Sequence, residues 1–146
     1  MKRRILLQAI SVAPLLPVAK VLAGRAGLFG SAEEAKVVYE LRIYHCYPGK
    51  LPELLARFRD HTTKLFERHG LKNVAYWTAL DEPMKSSGLY YVLAHPNREA
   101  AKANWKAFED DPEWQSVKAA SEANGKIVEK VDSTFLEMTD FSPLLR

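Results

Sequence analysis

The order of hydrophobic patterns predicts an α+β domain with the element order βαββαβ, in which a four-stranded antiparallel sheet carries helices on one face. Two observations predict it. Four segments alternate apolar and polar residues or are rich in β-forming residues, and two segments between them repeat apolar residues at spacings of three and four. The chain has 146 residues, of which 47% are hydrophobic and 27% charged, so its size and balance fit one globular domain.

The first strand and the first helix follow from a change of period after Val37–Tyr47. One face of this strand carries Tyr39, Leu41, Ile43 and His45. Its other face carries Glu40, Arg42 and Tyr44. Residues 51–69 then place apolar side chains at helical spacing, and Gly70 favours a helix end. The opposite face of this helix is predicted to be solvated charge: Glu53, Arg57, Asp60, Lys64, Glu67 and Arg68.

The second half of the domain is predicted to contain three more strands and one helical segment. Val74–Leu80 and Leu89–His95 are the second and third predicted strands, and Ile127–Met138 is the fourth. The helical segment between the last two is predicted to have two parts, with Asn97 and Asp111 as N-caps and Pro112 in the first turn of the second part. Its buried stripe consists of Ala101, Trp105 and Phe108.

The third strand predicts a homodimer. Its two faces carry Leu89, Tyr91, Leu93 and Tyr90, Val92, Ala94, and both are apolar. Helices cover only one face of a sheet in this topology, so the second face needs another cover. A second copy of the same sheet is the simplest one.

The first 23 residues carry the pattern of an export signal. A basic region, Met1–Arg4, precedes a moderately apolar stretch, and small residues predict cleavage between Ala23 and Gly24. The pair Arg3-Arg4 resembles a twin-arginine signal, while a Sec signal and a retained anchor are the alternatives. The sequence thus predicts a protein of the periplasm or cell envelope without a stable membrane span after cleavage. Residues 24–36 form a flexible lead-in, and residues 37–146 form the domain.

Charge and motif content exclude several classes of function. Residues 1–23 hold four basic residues and no acid, which leaves 17 basic and 18 acidic residues in the rest of the chain, so nucleic acid is not an expected partner. The single cysteine, Cys46, excludes an internal disulfide. His61 and His69 lie about 12 Å apart along one helix and cannot share a metal ion. Phosphate-binding, dinucleotide-binding and nucleophile-elbow motifs are absent from the sequence, so neither a cofactor nor a catalytic residue is predicted.

A set of short motifs resembles one known family, the NIPSNAP proteins, over about residues 37–146. The motifs are Tyr39-Glu40-Leu41-Arg42-x-Tyr44, Pro48-Gly49, Phe58, His69-Gly70, Tyr76-Trp77, Asp111-Pro112-x-Trp114 and Phe135-Leu136. The family is similar to dimeric α+β barrels, in which two ferredoxin-like sheets form one barrel wrapped by helices. Relatives on this architecture include cofactor-free monooxygenases acting on phenolic or quinol substrates and haem-degrading enzymes, whereas NIPSNAP members have no settled reaction.

One pocket for a small aromatic ligand is predicted between the sheet and the helices. His45 and His95 would lie on the helix-facing side of neighbouring strands, with Tyr91, Trp105 and Trp77 completing the aromatic lining. The alternative is that both histidines are hydrogen-bonded at strand ends and that the aromatic side chains are ordinary core.

Glu40 and Arg42 share the less apolar face of the first strand and would lie inside a barrel. They are predicted to form a structural ion pair, with substrate-carboxylate binding by Arg42 as the alternative. The sequence therefore favours a homodimer that binds a small aromatic or hydrophobic molecule without complete catalytic machinery. A cofactor-free monooxygenase acting on a phenolic or quinol compound is the alternative.

Overall fold

The computed structural model describes residues 37–143. The predicted signal segment 1–23, its cleavage point between Ala23 and Gly24, and the lead-in 24–36 lie outside the described residues. Within residues 37–143, no helix combines the length and the apolar character needed to cross a membrane.

Four strands and four α-helices follow the predicted order βαββαβ, with two α-helices in each helical segment. They are β1 (Val38–Cys46), α1 (Leu51–Arg57), α2 (Thr63–Arg68), β2 (Lys72–Thr78), β3 (Gly88–His95), α3 (Arg98–Glu109), α4 (Pro112–Ser121) and β4 (Val128–Glu137). A short 3₁₀ turn, Met84–Ser86, lies between β2 and β3. The strands pair antiparallel in the order β2-β3-β1-β4, which confirms the ferredoxin-like α+β fold.

Both predicted N-caps are confirmed. The Asn97 side chain accepts a hydrogen bond from the backbone N–H of Ala100 at 2.7 Å. The Asp111 side chain accepts one from the backbone N–H of Glu113 at 2.7 Å, and Pro112 occupies the first turn of α4. These side chains satisfy N–H groups that have no partner inside the helix.

The first helical stretch differs from the regular helix predicted over residues 51–69. A five-residue π-helical segment, Phe58–Thr62, separates α1 from α2. The hydroxyl groups of Thr62 and Thr63 donate to the backbone oxygens of Arg57 and Phe58, both at 3.2 Å. The wider turn shifts the helical phase of the residues after it relative to those before it, and apolar spacing alone does not reveal it. Arg57 is only 5% exposed, so its placement on the solvated face was wrong.

The register of the sheet decides which face the helices cover. Arg42 pairs with Tyr91 and Glu40 with Leu93, and these side chains face the helices. The opposite face carries Tyr39, Leu41, Ile43 and His45 together with Tyr90 and Val92. The expectation that His45 points toward the helices, with Glu40 and Arg42 on the other side, was therefore wrong. Alternation defines two faces of a strand, but the partners of the charged groups decide which one is covered.

The core is a cluster of aromatic rings between the helices and β3. Phe66, 1% exposed, lies with its ring centroid 4.8 Å from that of Phe108 and 5.3 Å from that of Trp105. Tyr91 is fully buried, and its ring stacks on Tyr76 at 5.3 Å. Edge-to-face and stacked contacts of this kind hold the helices in fixed positions on the sheet.

Candidate functional site

The structure does not bring His45 and His95 together. His45 pairs with Gly88 at one end of the β1–β3 ladder, whereas His95 pairs with Val38 at the other end. The two imidazoles also lie on opposite faces of the sheet. The partner of His95, Val38, is an odd number of residues from His45 along β1, and side chains alternate between the faces of a strand. A pocket with both histidines on its rim was therefore a wrong expectation.

The aromatic candidates also separate. Trp77 pairs with Tyr90 on the face of the sheet that the helices leave uncovered, the open face, and is 52% exposed. Tyr91 is in the helix-covered core, where burial raises the pKa of its hydroxyl. Of the five predicted pocket residues, only Tyr91, His95 and Trp105 share the space between sheet and helices.

Glu40 is the centre of a buried hydrogen-bond network. One carboxylate oxygen accepts from Arg42 at 2.8 Å and from the Ser133 hydroxyl at 2.7 Å. The other accepts from His95 Nε2 at 3.0 Å and from Trp105 Nε1 at 2.7 Å. Four donors from three strands and one helix thus converge on a side chain that is 2% exposed. The network joins α3 to β1, β3 and β4.

The electrostatics of this network favour a permanent carboxylate. Burial raises the pKa of Glu40, but the hydrogen bonds from His95, Ser133, Trp105 and Arg42 outweigh it and lower the pKa to about 2. The Arg42 guanidinium also lies 4.1 Å from the centroid of the Trp105 ring. With all of these donors directed at one carboxylate, the arrangement stabilises the fold and leaves Glu40 a poor general base.

A second histidine–carboxylate pair lies on the open face. His45 Nε2 donates to Asp132 at 2.8 Å, and Lys130 donates to the other oxygen of the same carboxylate at 2.8 Å. Lys130 and then His45 lower the pKa of Asp132. Asp132 is well exposed, so this pair contributes little to stability.

The remaining histidines give no metal site. His69 Nε2 donates to Asp111 at 2.6 Å, and Arg68 donates to the same oxygen at 2.7 Å. No group of three or more potential ligand side chains that could hold a metal ion occurs between residues 37 and 143. His69 thus helps to join the end of α2 to the start of α4.

Sequence reasoning missed a crevice between α4, the end of α1 and the edge strand β4. Its volume is about 310 Å³, at the lower end of the range of small-molecule sites. Six of its lining residues define its chemistry: Tyr44, Arg57, Trp114, Lys118, Glu122 and Val131. The Asp111-Pro112-x-Trp114 motif marks one wall of this crevice. Arg57 carried no signal, since its side-chain contacts are with residues distant in sequence, Ser121, Glu122 and Trp114.

The comparisons with known proteins agree with the fold. A family model described as NIPSNAP matches residues 39–143. The chain belongs to the NIPSNAP family. No curated protein matches its sequence.

Solved NIPSNAP structures share the architecture at low sequence identity. An uncharacterised NIPSNAP-like domain protein from Burkholderia xenovorans is 17% identical, with a TM-score of 0.65 over 77% of this chain and 93% of that one. A NIPSNAP family protein of unknown function from Agrobacterium tumefaciens is 20% identical, with a TM-score of 0.65 over 75% and 95%. A monooxygenase from Streptomyces coelicolor, solved in complex with nanaomycin D, is 12% identical, with a TM-score of 0.51 over 76% and 94%. At these identities the comparisons show a shared fold.

Proposed function

We propose that this NIPSNAP protein binds a small aromatic or hydrophobic molecule in the crevice between α4 and β4. The observation that carries the proposal is the lining itself. Trp114 and Tyr44 contribute aromatic rings, Val128 and Val131 contribute apolar surface, and the other six lining residues are charged. Aromatic surface for stacking beside polar groups that orient the ligand is a combination that small-molecule sites use.

Removal of one aromatic wall tests this proposal. Trp114→Ala is expected to weaken the binding of the neutral probe 2-naphthalenemethanol about tenfold or more, because stacking area is lost. The matched control is Phe141→Ala, since Phe141 is 84% exposed and outside the crevice. Isothermal titration calorimetry on the purified full chain gives both affinities. Equal affinities of the Trp114→Ala variant and the unchanged chain would contradict the proposal.

The homodimer is part of the same proposal. The open face of the sheet carries Leu41, Ile43, Tyr90 and Trp77, an apolar surface of the kind that a second sheet covers in dimeric α+β barrels. Sedimentation equilibrium is expected to give a dimer, and Leu41→Asp is expected to give a monomer. Because the crevice uses the other face of the sheet, this monomer should still bind 2-naphthalenemethanol. A monomeric unchanged chain would refute the dimer and leave the crevice untouched.

Export to the periplasm or cell envelope is also proposed, on the composition of residues 1–23. The intact mass of protein recovered from the exported fraction is expected to match a chain that starts at Gly24. The same native mass spectrum reports the subunit count and any retained small molecule. A mass that includes Met1–Ala23 would overturn cleavage.

The alternative function is a cofactor-free monooxygenase acting on a phenolic or quinol compound. It rests on the α+β fold shared with the Streptomyces coelicolor monooxygenase. Oxygen consumption with a panel of naphthols would decide it. Turnover above the background rate that disappears in Trp114→Ala would favour the enzyme over the binding protein.

A further inference from the structure

Arg57 is a buried cation in the wall of the crevice. Its side chain is 4% exposed, and Nη1 donates to the Ser121 hydroxyl at 3.1 Å and to Glu122 at 3.3 Å. Within residues 37–143, its Nε–H has no hydrogen-bond partner. A guanidinium has five N–H donors, and a buried donor without a partner is unfavourable. The side chain therefore retains capacity for a further acceptor.

The backbone around Arg57 is also unusual. Arg57 is the last residue of α1, and the π-helical segment Phe58–Thr62 begins directly after it. The Thr62 hydroxyl donates to the Arg57 carbonyl oxygen. π-Helical turns within α-helices occur frequently at functional sites. Here the turn accompanies an arginine that is directed inward among aromatic side chains.

The charge around the crevice favours an anion. Three cationic side chains, Arg57, Lys118 and Lys126, line it against two carboxylates, Glu122 and Glu129, whereas the ammonium of Lys130 at its edge pairs with Asp132 on the open face. Residues 24–146 as a whole hold 17 basic and 18 acidic residues, so this excess is local. A local positive potential raises the concentration of anionic ligands at the site.

The neighbouring rings favour a planar ligand. The Arg57 guanidinium carbon lies 5.3 Å from the centroid of the Trp114 ring, so cation and aromatic surface stand side by side. The planar fork of a guanidinium matches the two oxygens of a carboxylate. A carboxylate on an aromatic ring would use both features at once.

We propose that the crevice binds an aromatic carboxylate, with the carboxylate on Arg57 and the ring against Trp114 and Tyr44. This inference rests on the proposed function of the crevice and specifies the class of its ligand. Glu122 shares Arg57 with the incoming carboxylate, and Lys118 and Lys126 on the rim balance the added charge.

A pair of probes that differ only in charge tests the proposal on the unchanged chain. By isothermal titration calorimetry, 2-naphthoate is expected to bind about tenfold or more tightly than the neutral 2-naphthalenemethanol. Equal affinities would overturn the carboxylate and leave the proposed aromatic site intact. If neither probe binds, the proposed function fails and this inference fails with it.

Variants then locate the carboxylate. Arg57→Gln is expected to weaken 2-naphthoate binding about ten- to a hundredfold, and to change 2-naphthalenemethanol binding by less than about threefold. Arg59→Gln, an exposed arginine in the π-helical segment, is the matched control and should change neither. If Arg57→Gln does not fold, Lys126→Gln on the rim should still weaken 2-naphthoate alone by about two- to threefold. Loss of both probes to the same extent in either folded variant would overturn the assignment.

Discussion

Replacing Glu40 by glutamine removes the charge at the centre of the buried network while keeping the shape of the side chain. The folded protein then holds the Arg42 guanidinium without its carboxylate, and the new amide NH₂ group meets donors on strands and helix instead of acceptors. Removing one partner of a buried ion pair typically costs about 3–5 kcal/mol. Glu40→Gln is thus expected to be among the more destabilising isosteric changes in the domain.

The pKa of Glu40 gives an independent magnitude. It falls from 4.5 to about 2, and each pKa unit corresponds to about 1.4 kcal/mol, so the charged form contributes about 3 kcal/mol at neutral pH. Because the folded pKa lies below the unfolded one, this contribution is complete above about pH 4.5 and is lost as the pH falls toward 2. At pH 3 about 1 kcal/mol should remain.

Urea unfolding followed by circular dichroism measures both effects. The difference in the free energy of unfolding between the unchanged chain and Glu40→Gln is expected to shrink between pH 7 and pH 3. Glu53→Gln is the control, since Glu53 pairs with Lys50 at the surface and should change stability by less than about 1 kcal/mol. If Glu40→Gln is too unstable to fold, Ser133→Ala removes a single donor and should cost about 1 kcal/mol. A Glu40→Gln penalty that is the same at pH 7 and pH 3 would refute the argument from charge.

Three further predictions concern the fold, each measured by thermal or urea unfolding. Asn97→Ala removes the side-chain acceptor for an N–H in the first turn of α3 and should lower the free energy of unfolding by about 1 kcal/mol. Asn97→Ser keeps a side-chain acceptor and should retain most of that stability. Phe66→Ala should cost about 3–5 kcal/mol because Phe66 is 1% exposed among four rings, while Leu80→Ala, at a position 86% exposed, should change stability by less than about 0.5 kcal/mol. Gly70→Ala should cost more stability than Gly49→Ala. Both glycines have a positive φ, near 73° and 75°, but only at Gly70 would the added Cβ lie 2.8 Å from a side-chain amide of α3. Equal costs of the two substitutions would contradict this steric argument.

Local chemistry made the elements of this domain predictable. Alternation predicted the strands to within one or two residues, and Asn97, Asp111 and Gly70 placed helix ends because each acts through its own backbone or the adjacent turn. The predicted stripe of α3 is confirmed by Ala101 and Phe108, which are buried. The order of the elements then led to the correct sheet, since few topologies connect βαββαβ without crossing.

The candidate site was only partly predictable, for reasons that lie in tertiary contacts. The sequence by itself determined the fold class, the caps and the family motifs, because these depend on neighbours within a few residues. Only the tertiary structure decided which face of β1 the helices cover, because Trp105 and Ser133 come from distant elements to hydrogen-bond Glu40. It also decided that His45 and His95 stand apart and that Arg57 is buried, since strand register and the contacts of Arg57 with Ser121 and Trp114 leave no periodic trace in the sequence.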